Sequence, residues 1–433
     1  MTLLHRTPDR WLTSPKILAA GQILCLAQAT ALVMLALFQH GLLPGTAESP
    51  TASDFVSFYA AGKLALAGTP ALAYDQAVHF AVEQQFSPPG APYQFFFYPP
   101  VFMLLFAPIA ALPYTLAFYL FEAATLAAFL LVIRRILAEP NWVFLPVVLA
   151  FPAIFWTLGL GQNAFLTAAL FGGFTLTLRQ RPGLAGGLLG LLCYKPHFGL
   201  LAPIALAAGG HWRAFLAAAA TVAGLIALST ALFGVETWRA YLTAFAGSDA
   251  VYASGRIDYA GMITPFGAAR LMGFAPASAY ALQIAATLAM AVLTAWTWRR
   301  VRRGAAHSQS AQGQFVQGRP AQGRRAQTNY AQMALLLSAT LLAVPMAILY
   351  DKMLLLVAIA WLARESRETG FSAGDKVILA GVYLISLLEY PIGAAWPVPL
   401  GPIATLAVLA LAARRFGIWP KATRMEAMPA AAE

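Results

Sequence analysis

One acidic residue, Asp54, stands where a carboxylate at a membrane surface could act as a base. It lies in a loop of residues 39–98, within Ser53-Asp54-Phe55-Val56-Ser57-Phe58-Tyr59. Carboxylates are costly beside lipid, and those found there usually serve a function. A carboxylate within hydrogen-bond reach of a hydroxyl can take its proton as that hydroxyl attacks. We therefore predict that Asp54 is a general base, with capping of the helix that follows as the alternative.

Three further polar sites lie at predicted span ends that would face the same side as Asp54. They are Gln162 with Asn163, Lys195 with His197, and Tyr350 with Asp351. Helices broken at proline can present backbone dipoles and a cation to a polar ligand, so Lys195-Pro196 predicts a phosphate contact. The alternatives are a lysine that snorkels to the interface and, for Gln162 and Asn163, a tight turn outside the membrane. Tyr59 is a further candidate for substrate binding.

Composition places most of the chain in a membrane. Of its residues 60% are hydrophobic and 10% are charged, and the mean hydropathy is +0.68. Soluble domains carry about 25% charged residues, and runs such as 17–38 can cross a bilayer. The net charge of +11 arises from basic residues beside span ends. Because cytoplasmic loops are rich in Lys and Arg, this charge indicates membrane orientation and no nucleic-acid partner.

These features predict an all-α, polytopic membrane protein that forms one domain over residues 1–433. If the span ends that carry Lys and Arg are placed on the cytoplasmic side, the chain makes about twelve crossings. Both termini are then cytoplasmic, and the loop of 39–98 is extracytoplasmic. Small and apolar residues at helical spacing predict an amphipathic helix lying on the membrane over 54–66. The run from Pro99 to Leu112 is too short to cross and predicts a re-entrant or surface segment. Residues 299–329 predict a basic, disordered cytoplasmic linker.

The order and spacing of these residues resemble the pattern of glycosyltransferase family 87, in the GT-C superfamily. The pieces that carry the resemblance are Asp54 with Tyr59-Ala60-Ala61-Gly62, Tyr98-Pro99-Pro100-Val101-Phe102, Gly161-Gln162-Asn163, Gly190-Leu191-Leu192-Cys193-Tyr194-Lys195-Pro196-His197, and Tyr350-Asp351. The resemblance implies a bundle of the GT-C type that takes a sugar, often mannose, from a polyprenyl-phosphate. It also implies an extracytoplasmic active site with an acid in the first outside loop, a role that Asp54 matches.

The chemistry that follows is direct displacement with inversion at the anomeric carbon, which needs one base. Lys195, helped by Gln162 and His197, would stabilise the departing phosphate. The expected partners are the polyprenyl-phosphate sugar, a lipid or glycan acceptor, and membrane lipids of the cell envelope. No cofactor is expected, although a divalent ion bridging Asp54 and a phosphate stays open. The alternatives are a transporter or flippase of lipid-linked sugars that does no chemistry, and a polymerase or ligase of surface polysaccharide.

Overall fold

The computed structural model describes residues 13–39, 53–247, 258–311 and 322–418. Within these ranges the chain is built from α-helices and short 3-10 turns, and it contains no β-strand. The prediction of an all-α protein is therefore confirmed.

Eighteen α-helices follow one another in the described ranges. They are α1 (Ser14–Gln39), α2 (Phe55–Leu66), α3 (Gln76–Glu83), α4 (Met103–Ala110), α5 (Tyr114–Leu137), α6 (Leu145–Leu149), α7 (Pro152–Leu160), α8 (Ala164–Thr177), α9 (Pro182–Gly190), α10 (Ala202–Gly209), α11 (Trp212–Phe233), α12 (Val235–Ala246), α13 (Pro265–Leu271), α14 (Pro276–Ala311), α15 (Gln322–Ala343), α16 (Met353–Thr369), α17 (Asp375–Ala395) and α18 (Gly401–Phe416).

Five of the described helices are long and apolar enough to cross a membrane, namely α1, α5, α11, α14 and α17. The two helices α6 and α7 meet at 71° and together form a sixth candidate. Shorter apolar helices, α8 among them, fill the space between these long ones. The membrane class is therefore shown, while the count of about twelve crossings stays a prediction.

Helix α16 lies at the centre of the bundle and fixes the residues that precede it. Its first ten residues, 353–362, are all buried. It packs against α5, α8 and α15, and its apolar side chains are enclosed by those neighbours. Apolar contact on every side fixes the axial position of a helix, since any shift would open cavities. The turn Leu349–Lys352, directly before α16, is thereby held in place.

Helix α2 corrects the prediction of an amphipathic helix on the membrane surface. Nine of its twelve residues are buried, and it packs closely on α4. A Cβ atom on Gly62 would lie 2.5 Å from the carbonyl oxygen of Phe106, so only glycine permits this approach. Gly62 lies on a face that α4 covers, and the rings of Phe55 and Phe58 pack against those of Phe106, Phe118 and Phe102. The helix therefore lies inside the protein.

The predicted linker of 299–329 is helical in its described parts. Helix α14 continues through the basic run of 299–303 to Ala311, and α15 begins at Gln322. Arg, Ala and Gln are good helix formers, so the low complexity of this stretch does not by itself break a helix. The linker over 299–329 therefore stays a prediction, and residues 312–321 lie outside the described residues.

Candidate functional site

The backbone around Asp54 is attached to the turn that follows α7. The Asp54 N–H donates to the carbonyl of Leu160 at 2.8 Å, and the Ser53 hydroxyl donates to the same carbonyl at 3.0 Å. The turn is possible because Gly161 adopts φ +64°, a conformation that favours glycine. A Cβ there would lie 2.5 Å from Ser53 Oγ. Two segments more than 100 residues apart in sequence are thus joined at the site.

The carboxylate of Asp54 accepts a hydrogen bond from a buried amide. Gln162 Nε2 donates to Asp54 Oδ2 at 2.6 Å, while Gln162 Oε1 accepts the N–H of Asn163 at 3.2 Å. The second bond fixes the amide so that its NH₂ group points at Asp54. Asp54 precedes α2, yet its side chain makes no capping bond there. The helix-cap alternative for Asp54 is therefore wrong.

The surroundings of Asp54 give its carboxylate the basicity that proton transfer requires. Burial raises the pKa of Asp54 to about 6, while the Gln162 hydrogen bond and the charge of Lys195 lower it. Part of the side chain remains accessible. A base with a pKa near 6 is ionised at neutral pH and still binds a proton well enough to assist the attack of a hydroxyl.

Lys195 lies inside the protein in an ion pair. Its Nζ is 2.9 Å from Asp351 Oδ1, and both side chains are 5% exposed. The second oxygen of Asp351 accepts the Ile348 N–H at 3.0 Å, and the ring of Tyr350 lies 5.4 Å from Nζ. The chain is broken here into two 3-10 turns, Leu191–Tyr194 and Pro196–Gly199. The structure thus joins Lys195 to Tyr350 and Asp351, and the snorkelling alternative is wrong.

Asn163 and Tyr98 add two further polar groups near Asp54. Asn163 is fully buried and faces the hydroxyl of Tyr98, whose ring stacks on Phe102 with centroids 4.4 Å apart. Burial raises the pKa of Tyr98, and the charges of Asp351 and Asp54 raise it further. Tyr98 is therefore within electrostatic range of both carboxylates. Gln162 and Asn163 do form a turn, but the turn is buried rather than exposed.

Two predicted residues do not join this group in any described contact. The Tyr59 hydroxyl donates to the Leu112 carbonyl at 2.7 Å, and its ring packs on Phe86 and Tyr114. The ring of His197 contacts Phe198, with centroids 4.3 Å apart. Tyr59 therefore serves packing of α2, and His197 lies near the site only through its neighbour Lys195.

Sequence reasoning missed a second acid, Glu83, which pairs with His79 on α3. His79 Nε2 is 3.1 Å from the Ser57 carbonyl and Nδ1 is 3.3 Å from Glu83 Oε1. Since a carbonyl only accepts, Nε2 carries the hydrogen and one more proton belongs between Nδ1 and Glu83. The signal was the i,i+4 spacing of the two residues in the loop.

The electrostatics of this pair connect it to Asp54. Burial raises the pKa of Glu83 to about 8, the Gln94 N–H lowers it, and the charge of Asp54 raises it. Burial lowers the pKa of His79 to about 4. The shared proton is therefore on Glu83 at neutral pH, which leaves Asp54 as the ionised acid of the two.

The arrangement offers a carboxylate base, amide and phenol groups, and a cation at one end of the bundle. Among the described residues, no group of three or more His, Cys, Asp or Glu side chains is placed to hold a metal ion. Such a set can assist the attack of a hydroxyl and stabilise a departing anion.

Comparison with known families gives one match. The model of glycosyltransferase family 87 matches residues 96–317, just over half of the chain. The matched part includes Tyr98, Gln162, Asn163, Lys195 and His197. Asp54, Glu83 and Asp351 lie outside it. Neither the curated proteins nor the solved structures that were compared gave a match.

Proposed function

The chain belongs to glycosyltransferase family 87 and is a membrane glycosyltransferase, and we propose that it uses a polyprenyl-phosphate sugar. The sugar, mannose or a related one, would pass to the hydroxyl of a lipid or glycan with inversion. The observation that carries this proposal is the partly buried carboxylate of Asp54, whose partner is the neutral amide of Gln162. A carboxylate held in this way is oriented without being neutralised.

Asp54 would take the proton of the acceptor hydroxyl as its oxygen attacks the anomeric carbon. The bond from that carbon to the donor phosphate breaks in the same step, so the phosphate leaves with the electron pair. Gln162 holds the carboxylate, and the proton ends on Asp54. One base suffices for a displacement with inversion.

Lys195 would stabilise the departing phosphate. An ammonium group has three N–H donors, and Asp351 accepts from Nζ in the structure. Nζ therefore has donor capacity beyond this bond. A buried cation next to a developing negative charge stabilises the transition state more than the bound substrate, because the charge grows as the bond breaks.

The distribution of arginine supports an extracytoplasmic site with cytoplasmic termini. Helices α5, α8 and α16 all start beside the site, and arginines accompany their opposite ends at Arg134, Arg179 and Arg364. Basic residues favour the cytoplasmic side. About twelve crossings result if the shorter apolar helices also cross the membrane of the cell.

The experiment uses the purified full chain in nanodiscs with radiolabelled polyprenyl-phosphate sugars and a membrane lipid extract. We expect donor consumption and a labelled product from the wild type, and none from Asp54→Asn. Glu236→Gln is the matched control, because Glu236 is an exposed acid whose change removes the same charge. If sugar-lipid crosses the bilayer while no donor is consumed, the protein is a transporter and the proposal is overturned.

We further propose that the transfer needs no metal ion. Gln162 already orients the Asp54 carboxylate, and Lys195 supplies a positive charge near it. Incubation with EDTA should leave the rate of product formation unchanged. A loss of rate that Mg²⁺ or Mn²⁺ restores would instead indicate an ion between Asp54 and the phosphate.

A further inference from the structure

A pocket lined by arginines lies at the opposite end of the helices that carry the candidate site. It has a volume of about 340 Å³ and is formed where α5, α8, α15 and α16 meet. Its polar lining includes Arg135, Arg179, Arg364, Thr175, Tyr330 and Trp361. No acid is among the residues that line it in the described part of the chain.

The pocket is too far from Asp54 to serve the same ligand group. Helix α8 starts next to Asn163 and ends shortly before Arg179, with 14 residues between. At 1.5 Å per residue, this helix separates the two places by about 20 Å. Helix α5 likewise packs near Phe55 through Tyr114 and reaches the pocket through Arg135. The arginine pocket therefore lies toward the other membrane face.

The wall of the pocket is held by specific contacts. The rings of Tyr330 and Trp361 stack with centroids 5.5 Å apart, and Trp361 Nε1 donates to Thr175 Oγ1 at 3.0 Å. Arg364 lies 5.8 Å from the Tyr330 ring and pairs with Glu368 at 2.7 Å. Three guanidinium groups, those of Arg135, Arg179 and Arg364, thus belong to the lining of the pocket.

We propose that this pocket binds the phosphate group of an anionic membrane lipid. Guanidinium groups match the oxygens of a phosphate, and basic pockets between membrane helices on the cytoplasmic side bind such headgroups. A free phosphate ion offers similar oxygens to the guanidinium groups but has no chains to bury. The lining also includes Ile136, Leu176 and Met333, which suit the glycerol and the first methylenes of a lipid. The apolar part therefore favours the lipid over the ion.

The test measures binding of phosphatidylglycerol to the full chain in detergent, by the rise in melting temperature on titration. The double variant Arg135→Gln/Arg179→Gln should need about tenfold more lipid, the loss of roughly one strong ionic hydrogen bond. Arg213→Gln/Arg239→Gln is the control, since it removes two exposed arginines elsewhere and should titrate like the wild type. Arg135→Gln alone provides a milder second variant, because its side chain is exposed.

The other outcomes overturn the proposal. If the pocket variants and the control titrate like the wild type, the arginines do not bind the lipid. If inorganic phosphate gives the same stabilisation at the same concentration as the lipid, the pocket is a site for a soluble anion. Phosphatidylcholine carries the same phosphate beside a choline cation, so its rise in melting temperature should depend little on Arg135 or Arg179. A dependent rise as large as that with phosphatidylglycerol would show that an anionic headgroup is not required and would overturn the proposal.

Discussion

Asp54 and Asp351 are two enclosed acids whose partners differ in charge. Asp54 accepts from the amide of Gln162, which carries no charge. Asp351 accepts from the ammonium of Lys195 and from a backbone N–H. A neutral donor orients a carboxylate and leaves it basic, whereas a cation in contact stabilises the ionised form against protonation. The comparison supports the proposal that Asp54 transfers the proton, while Asp351 holds Lys195 in position.

A second ion pair strengthens the contrast. Lys352, the next residue in the chain, pairs with Glu389 of α17, and both are buried. The turn of 349–352 therefore takes part in two ion pairs, one through Asp351 and one through Lys352. It is also continuous with α16. This region is built for fixed geometry, while Asp54 stands on a turn with a single hydrogen bond from its amide partner.

The strongest test of the contrast is Asp54→Asn. The amide keeps the shape of the side chain but cannot accept the proton, so turnover should fall by about 10²–10⁴-fold. Binding of the sugar donor and the melting temperature should change little. Single-turnover assays with labelled donor, together with a thermal melt, separate these effects. Turnover within threefold of the wild type would show that Asp54 is not the base.

Asp351→Asn should act in the opposite way, mainly on stability. Removing one partner of a buried ion pair leaves Lys195 uncompensated, a cost of about 3–5 kcal/mol. The melting temperature should therefore drop clearly, and the variant Asp351→Glu should recover part of the loss. If Asp351→Asn kept full stability and lost only turnover, the assignment of the two acids would be reversed.

Much of the architecture could be predicted because it follows from composition. Sixty per cent hydrophobic residues leave helices as the structure that satisfies the backbone in lipid. The burial of α2 could not be predicted, because Gly62 and its neighbours fit either a lipid surface or the close approach of α4. Helical periodicity does not distinguish these two environments.

The sequence predicted residues of the site but not the contacts that join them. The topology correctly suggested that Asp54 and Gln162 face one side, but their contact depends on the backbone of Gly161. Lys195 and Asp351 are 156 residues apart, so sequence spacing cannot show their ion pair. His79 and Glu83 have an i,i+4 spacing in the sequence, but spacing alone does not show that the two side chains are buried together.

Gln162→Leu should give a smaller effect, seen in the pH dependence. The hydrogen bond from Gln162 lowers the pKa of Asp54, so its loss should raise that pKa further. The base is active when ionised, and activity falls as the pH drops through its pKa, which is about 6 in the wild type. The acid limb of kcat/KM should therefore move to higher pH. Gln84→Leu, at an exposed position on the far end of α3, is the control and should leave that limb in place.

Glu83→Gln should have the smallest effect on turnover, and it should appear in the dependence of stability on pH. The folded pKa of Glu83 is about 8 against 4.5 for the free side chain, so the folded state holds a proton that the unfolded state has lost between these values. Stability therefore falls as the pH rises across this window and is constant above it.

The glutamine variant stays neutral, so its melting temperature, measured at intervals from pH 4.5 to 8, should change less with pH than that of the wild type. Asp54, Tyr93 and Tyr114 face Glu83 from other elements, and His79 from its own helix. Tyr93 stays neutral across this range because burial raises its pKa. Asp54 titrates within it in both proteins and cancels in the difference to first order. An equal slope in the variant would mean that Glu83 is ionised throughout, and Asp54 would then have an anion rather than a neutral acid beside it.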